Sequence, residues 1–529
     1  MTGSIGRRRF LRGLGCSTCA ATLAGRFPSA SAAQAQTFDR LDKSGRLRLA
    51  DMALDLARRH GATHADLRIS RTRWQSASAR DRRPNGLSDG IGYGLGVRLL
   101  IDGVWGFAIA DDADDPAVRR AVEAAADNAA AMRRLGATPI VLERLRAYHG
   151  EWTMPTRVDP FAVSDTDKIG LLLAVNDAAL KAGASFSSAY VDIVREEKFF
   201  ASSIGSRLEQ TRIRLRPGFQ VTVVDKASGR FAGRSSLAAA RAAGWDYVQG
   251  LRLHEEAVEA ADQAREKLTA TPVVPGRYDL VLDATNLWLT LHESVGHSTE
   301  LDRALGWEAG YAGTSFVTPD KRGSLRFGSE LMTVVAERTQ AGGLASIGYD
   351  DDGVKPVPFT IIRNGIFENY QTAIGQPQLI GEKSSNGCAY GEDATAFPIQ
   401  RMPNVSLQPN PKTSTRDDLI GGVENGIYIV GDGSWSIDQQ RYNFQFGGQV
   451  FYEIKNGKRG QMLRDVAYQA QTPAFWNALD GLGDRSTHFL GGTFWCGKGE
   501  PSQSAPVSHG AVAGRFRQIN VLNTDRRDI

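Results

Sequence analysis

Residues 292–297 read His-Glu-Ser-Val-Gly-His, so two imidazoles flank one carboxylate in a short segment. Imidazole nitrogens are common zinc ligands, and zinc acidifies a water molecule bound beside them. A neighbouring carboxylate then accepts a proton from that water and passes it to the leaving amine. The segment therefore predicts metal-assisted hydrolysis of a peptide bond, with His292 and His297 as metal ligands and Glu293 as the general base.

A helix is predicted to carry these side chains, because apolar residues recur every fourth position from 287 to 295. Histidines four residues apart lie about 40° apart around an ideal helix, whereas the spacing of His292 and His297 separates them by about 140°. Both imidazoles reach one metal ion only if the helix bulges or ends between them. Gly296, directly before the second histidine, is the predicted place for that distortion.

A zinc site with two histidines requires a third protein ligand. The candidates are three nearby acids and one distant cysteine, namely Glu300, Asp302, Glu308 and Cys496. The residue types and their spacing do not decide among these four side chains.

The first 35 residues predict an export signal. Three arginines at 7–9 precede Phe-Leu, a mild apolar stretch follows at 13–25, and small residues occupy 29–35. Paired arginines before Phe-Leu resemble a twin-arginine signal, which predicts an exported, periplasmic protein. A chain whose signal does not function would stay in the cytoplasm.

Removal of that signal would leave two of the four cysteines, Cys388 and Cys496. In an oxidising compartment two thiols tend to form a disulfide. The alternative is that a metal ion holds one of them as a thiolate.

The charge balance argues against a nucleic-acid-binding protein. The formal net charge is +4, but residues 1–35 contain five arginines and no acid, so the rest has 58 basic and 59 acidic side chains. A basic surface is therefore not indicated. The mean hydropathy is −0.29, and no apolar run reaches the ~20 residues of a membrane helix, so no membrane span is predicted.

The remaining elements predict an α+β fold in two parts. Amphipathic patterns predict four helices with strands between them in the first part, at 46–60, 116–135, 165–181 and 251–268. Residues 269–276 read as a linker rich in Pro and Thr. Short alternating runs after it predict a mainly antiparallel β region with one helix near its start. The predicted domains are a signal peptide at 1–35, an N-terminal α/β domain at 36–270 and a β-rich zinc peptidase domain at 271–529.

Several segments, in order along roughly residues 60–510, carry a family resemblance. They are Gly-Tyr-Gly-Leu-Gly-Val-Arg at 92–98, the motif with Glu-Leu-Asp-Arg at 300–303, Ala-Gly-Thr-Ser at 312–315, Gly-Ser-Glu-Leu-Met-Thr-Val-Val at 328–335, Gly-Tyr-Asp-Asp-Asp-Gly-Val at 348–354, Arg-Met-Pro-Asn at 401–404 and Cys-Gly-Lys at 496–498. Together they resemble the TldD/PmbA family of zinc metallopeptidases.

The resemblance implies a role for each candidate residue. His292 and His297 bind zinc, Glu293 is the general base, and Cys496 is the third ligand. Because the motif is intact, the chain is similar to the catalytic, TldD-like branch. The family acts on small or unfolded peptides in a cavity formed by a dimer, which implies a homodimer or a heterodimer with a motif-less paralogue. The sequence departs from the family pattern at His509, where Asp or Val often stands.

Two other functions compete with the zinc-dependent peptidase. The first is a non-catalytic zinc-containing subunit that binds peptides or a partner, against which the intact Glu293 argues. The second is a cysteine hydrolase in which Cys496 works with His488 or His509. No third group that would orient such a histidine is evident in the sequence.

Overall fold

The computed structural model of the protein describes residues 37–525 of the 529-residue chain. The predicted signal peptide lies outside the described residues. Within them, a helix-covered sheet is followed by a β-rich half that carries the histidine motif. This architecture confirms the predicted α+β class.

The first half is built on a seven-stranded sheet. Its strands are β1 (His64–Arg80), β2 (Arg83–Ile101), β3 (Val104–Ala110), β4 (His149–Thr153), β5 (Phe186–Ser202), β6 (Arg207–Val224) and β7 (Phe231–Ser235). Their order is β3-β2-β1-β5-β6-β4, and β7 also pairs with β6. Neighbouring strands are antiparallel except for β4, which runs parallel to β6.

Helices cover one face of this sheet, and the four predicted from the sequence are present. The helices are α1 (Lys43–Arg59), α2 (Asp115–Arg134), α3 (Asp165–Lys181), α4 (Trp245–Gly250) and α5 (Leu253–Thr269). Side-chain oxygens of Asp42, Asp114 and Ser164 accept backbone N–H groups at the starts of α1, α2 and α3. Such caps satisfy donors that a helix cannot pair internally.

Strand β1 separates an apolar face from a polar one, because successive side chains of a strand point to opposite sides. Leu67 and Ile69 join the cluster of apolar residues beneath α1 and α2. Arg68 and Ser70 instead face the second half, where the Arg68 guanidinium donates to the Ala396 carbonyl at 2.8 Å. The two halves therefore meet through buried polar groups.

A buried arginine ties the two halves together. The Arg98 guanidinium on β2 lies 2.7 Å from a carboxylate oxygen of Asp66 and 2.7 Å from one of Asp352 in the second half. All three side chains are almost fully buried. Loss of one partner would leave a buried charge unpaired, which is strongly destabilising, so this contact fixes the second half against the sheet.

The second half contains the remaining elements. The helices are α6 (Ala284–Leu291), α7 (Leu301–Ala304), α8 (Arg416–Gly421) and α9 (Thr472–Asn477). The strands are β8 (Thr271–Pro272), β9 (Gly276–Leu282), β10 (Val334–Glu337), β11 (Phe359–Arg363), β12 (Ile366–Phe367), β13 (Ala389–Tyr390), β14 (Ile399–Gln400), β15 (Asn404–Leu407), β16 (Asn425–Ile437), β17 (Asn443–Lys455), β18 (Lys458–Arg464), β19 (Val466–Gln471), β20 (Leu479–Leu482), β21 (Phe489–Lys498), β22 (Gln503–Ala511) and β23 (Gly514–Asn523).

Five of these strands close into a small barrel. The pairing runs β16-β9-β23-β19-β17 and returns from β17 to β16. The pairs are antiparallel except for β16 with β9, and β8 pairs in parallel with β18 outside the ring. The predicted linker therefore enters the sheet of the second half at Thr271 and Pro272. Strands β10, β11, β12 and β15 form a separate sheet, and β21 and β22 form a hairpin.

Helix α6 lies against the barrel and against this hairpin. Its apolar stripe is confirmed, since Leu287, Leu291 and Val295 are completely buried in the large core of the second half. No helix between residues 37 and 525 has both the length and the apolar character needed to cross a membrane.

Candidate metal centre

The histidine motif lies where α6 changes its winding. After Leu291 the backbone forms a π-helical turn from His292 to Gly296, and a 3-10 turn follows at His297–Thr299. The backbone N–H of His297 donates to the carbonyl of His292, a bond that spans five residues. A π turn of this kind places residues i and i+5 on the same side of the helix.

This winding brings the two imidazoles together. The ring centroids of His292 and His297 are 4.7 Å apart, and both side chains are only 4% exposed. The predicted distortion between the two histidines is thereby confirmed. Burial lowers the pKa of both imidazoles, which favours the neutral form that binds metal.

Gly296 closes the π turn at a place with no room for a side chain. A Cβ atom there would lie 2.4 Å from the sulfur of Met402 and 2.8 Å from its terminal methyl group. Met402 is itself buried in the core. A larger residue at this position would therefore force the end of the buried Met402 side chain to move.

We expect Gly296→Ala to destabilise the protein by about 1–3 kcal/mol, the usual result of overpacking a core, and to weaken zinc binding by displacing His297. Thermal unfolding and zinc retention during dialysis measure the two effects. Combining it with Met402→Ala removes the clash and is expected to restore zinc retention. A more stable Gly296→Ala protein would contradict this account of the packing.

Cys496 reaches the histidines from the distant hairpin. Thr493 of β21 pairs with Val507 and Cys496 pairs with Ala505, so β21 contains one extra residue in between. Such a bulge switches the face to which the following side chains point. As a result, Cys496 Sγ lies 3.5 Å from Nε2 of His297.

The three side chains form a set suited to zinc. Ligand atoms of His292, His297 and Cys496 all lie within 4.8 Å of one another, and all three residues are buried. Tetrahedral zinc with its usual bond lengths places nitrogen and sulfur ligands about 3.6 Å apart, close to the distance between Cys496 and His297. Two nitrogens and one thiolate leave a fourth position for water, as catalytic zinc sites require.

The state of the cysteines supports a thiolate in this set. Both Cys388 and Cys496 are free and buried. Burial raises the pKa of Cys496, but His297 and then Arg401 lower it more, so its pKa lies below the ordinary value. Burial raises the pKa of Cys388 to about 11. Of the two thiols, only Cys496 is electrostatically prepared to bind metal.

Glu300 orients His297 from the side away from Cys496. Its Oε2 lies 2.8 Å from Nδ1 of His297, and Lys498 and Arg303 contact the same carboxylate at 3.2 and 3.3 Å. Burial opposes ionisation of Glu300, but Lys498, His297 and Arg303 hold its pKa well below the usual range. A carboxylate that fixes a ligand imidazole in this way is typical of zinc sites.

The other two acidic candidates for the third ligand are engaged elsewhere. Asp302 lies 2.8 Å from Nζ of Lys498, and Glu308 lies 2.6 Å from a guanidinium nitrogen of Arg303. Burial is the main cause that raises the pKa of Glu308 to about 7. These two acids form ion pairs with Lys498 and Arg303. Cys496 is therefore the third member of the candidate ligand group.

The imidazole of His292 contacts another histidine. Its Nδ1 lies 2.7 Å from Nε2 of His509 on β22, and Nδ1 of His509 lies 3.1 Å from the carbonyl oxygen of Val405. The hairpin thus supplies Cys496 from one strand and His509 from the other. The cysteine-hydrolase alternative pairs Cys496 with His488 or His509. In the structure the histidine that contacts Cys496 Sγ is His297.

Glu293 lies beside the ligand set and is held by an arginine. Its Oε2 accepts from Nη1 of Arg441 at 2.6 Å, while its Oε1 is 4.0 Å from Nε2 of His292. Arg441 comes from the turn between β16 and β17 and has a φ of +63°. No sequence pattern indicates a role for Arg441, because it belongs to no motif and reaches the site only through the barrel.

The chain is similar to known metallopeptidases over most of its length. Three family models match the chain: PmbA/TldA metallopeptidase domain 1 at residues 65–129, the central domain at 158–268 and the C-terminal domain at 275–521. A metalloprotease of Methanocaldococcus jannaschii is 27% identical over 84% of this chain and 94% of its own length. A zinc metalloprotease TldD homolog of Saccharolobus solfataricus is 24% identical over 46% of this chain and 52% of its own length.

Solved structures show the same fold. A protein of Thermotoga maritima superposes with a TM-score of 0.71 at 15% identity, covering 90% of this chain and all of the other. TldE from Thermococcus kodakarensis gives a TM-score of 0.66 at 16% identity over 90% of this chain and 99% of its own. At this identity the likeness concerns the fold alone.

Proposed function

The chain belongs to the TldD/PmbA family of metallopeptidases, and from that premise we propose that it hydrolyses small or unfolded peptides with a zinc ion held by His292, His297 and Cys496. It is a metalloprotease with a buried His-His-Cys group. The proposal adds the metal, the class of substrate and the catalytic role of Glu293.

One observation carries the proposal: the carboxylate of Glu293 lies within the same π turn that brings the two histidines together. A purely structural zinc site has no need of a base beside it. The contact with Arg441 at Oε2 leaves Oε1 as the oxygen on the His292 side. This is the arrangement expected of a base that serves a metal-activated water.

The chemistry then follows from the residues. Zinc bound in the set supplies Lewis acidity, which lowers the pKa of a water molecule and polarises the scissile carbonyl. Glu293 accepts a proton from the attacking water and donates it to the leaving nitrogen, so the carboxylate returns to its initial charge. Arg441 keeps the carboxylate in one orientation during both transfers. Glu300 holds the imidazole of His297.

The burial of the site supports the proposed class of substrate. The three ligands are only 4–5% exposed, so the surface of a folded protein cannot approach them. A cleft of about 680 Å³ between the two halves is lined by Trp288 of α6 and by Gly491 and Gly492 of β21. A single extended chain fits such a cleft and can add to the edge of β21, the strand that leads to Cys496.

Metal removal tests the proposal. We expect purified protein to contain about one zinc per chain and to cleave a reduced and alkylated protein but not its native form. A strong chelator should abolish cleavage, and added zinc should restore it. Metal analysis and separation of the peptide products measure these outcomes. A fully zinc-loaded protein that cleaves no peptide would instead favour the non-catalytic binding subunit.

A further inference from the structure

His509 occupies a position that the proposed chemistry does not require. It is completely buried and pairs with Gly491 across the β21–β22 hairpin. Its ring lies edge-on to His292, with centroids 4.7 Å apart, and parallel to the ring of Trp288 at 6.4 Å. Two of its neighbours thus belong to the motif helix and its π turn.

The hydrogen bonds of His509 define where the protons lie. A carbonyl oxygen only accepts, so Nδ1 of His509 must carry the proton that points to Val405. In a neutral ring, Nε2 of His509 then accepts, and Nδ1 of His292 must donate to it. The remaining nitrogen of His292, Nε2, is left with a lone pair on the side of Glu293.

The opposite arrangement of protons is disfavoured. If Nε2 of His509 donated to His292, then His509 would carry two protons and a full charge. Burial of an unpaired charge is costly, and the two contacts that the ring nitrogens make are with His292 and a carbonyl, neither of which is an anion. The stable arrangement is therefore the one in which both rings are neutral, with hydrogen bonds running from His292 to His509 and from His509 to the carbonyl of Val405.

The backbone that anchors these hydrogen bonds belongs to a sheet. Val405 lies in β15, which pairs with β10 in a four-stranded sheet, and the N–H of Gly510 next to His509 donates to Ser406 of the same strand at 3.1 Å. The carbonyl of Val405 and the ring of His509 thus keep a fixed relation. The acceptor offered to His292 has a defined direction.

We propose that His509 is a positioning residue, which fixes the tautomer and the orientation of His292 so that Nε2 of His292 is presented to the metal. The two ligand histidines then have different supports: His297 has the carboxylate of Glu300, and His292 has a neutral imidazole backed by a carbonyl. This inference rests on the proposed zinc site, but not on peptide hydrolysis.

The test compares His509→Leu and His509→Gln with the wild type. Leucine removes both hydrogen bonds, and we expect zinc affinity, measured by competition with a chromogenic chelator, to fall about 10–100-fold. Glutamine has an oxygen that accepts from His292 and an amide that donates to Val405, so it should recover most of the affinity. Thermal unfolding of the metal-free proteins serves as the structural readout.

A second histidine in the neighbourhood provides the control. His488 approaches Gly510, next to His509, and a Cβ on that glycine would lie 2.9 Å from its Nε2. His488→Gln should leave zinc affinity unchanged. Equal zinc affinity in all His509 variants would overturn the inference, as would a loss of affinity in His509→Leu that glutamine does not relieve. A wild-type protein that binds no zinc would overturn the proposed zinc site itself.

Discussion

Replacement of Glu293 by glutamine is expected to reduce kcat for peptide hydrolysis by about 10²–10⁴-fold, the usual contribution of a general base, while zinc remains bound. Glutamine has nearly the same shape, and its side-chain oxygen still accepts from Nη1 of Arg441. The amide cannot take a proton from water, so only the proton transfers are lost. Steady-state kinetics and metal analysis of the same preparation separate the two effects.

Glu293→Asp is the matched control for this experiment. It retains the carboxylate but withdraws it from the metal position, so an activity between those of the wild type and Glu293→Gln is expected. Unchanged kcat in zinc-loaded Glu293→Gln would show that another group serves as the base. Loss of zinc in that variant would show that Glu293 holds the site together instead of acting on water.

Replacement of Cys496 by alanine is expected to remove most of the bound zinc. A four-ligand structural zinc site contributes about 10–16 kcal/mol of binding free energy, so one thiolate accounts for roughly a quarter of it, or about 10²–10³-fold in affinity. The two histidines alone would then retain zinc weakly. Metal analysis after dialysis against a mild chelator measures the loss, and hydrolysis should fall with it.

The other buried thiol provides the control for this experiment. Cys388 is free, and the group of potential ligands formed by the described residues does not include it, so Cys388→Ala should keep both zinc and activity. Unchanged zinc in Cys496→Ala would contradict the assigned ligand set. In that case the third ligand would be one of the acids near residue 300.

The part of the site that could be predicted from the sequence is the part that is local in the chain. The spacing of His292 and His297 shows that a regular helix cannot serve both, and Gly296 marks where the backbone can yield. The apolar stripe of α6 follows from its period alone. Each of these inferences depends on residues within about three helical turns of one another.

The distant contributions could not be derived from spacing or composition. Cys496 and His297 are 199 residues apart, and Arg441 and Glu293 are 148 apart. The bulge in β21 decides which face Cys496 presents, and nothing in the sequence of that strand indicates an extra residue. The family resemblance implies Cys496 among four candidates, whereas Arg441 carries no signal in the sequence. His509 stands out in the sequence as a departure from the family pattern and as a candidate partner of Cys496, but not as a neighbour of His292.

The order of the elements sets an order of events during synthesis. Within residues 37–525, strands β1 to β7 pair with one another and with no strand of the second half, so the N-terminal sheet is complete long before the ribosome reaches Cys496. The barrel, in contrast, stays open until β23 inserts between β9 and β19, because β9 is the first of its strands in the chain and β23 is the last. Domains fold as units from the N terminus during translation, and the metal centre is therefore assembled only after translation has passed the last hairpin. A nascent or prematurely terminated chain that lacks this hairpin carries the two histidines and the base without the thiolate, so peptidase activity is withheld until residues 489–511 have been synthesised.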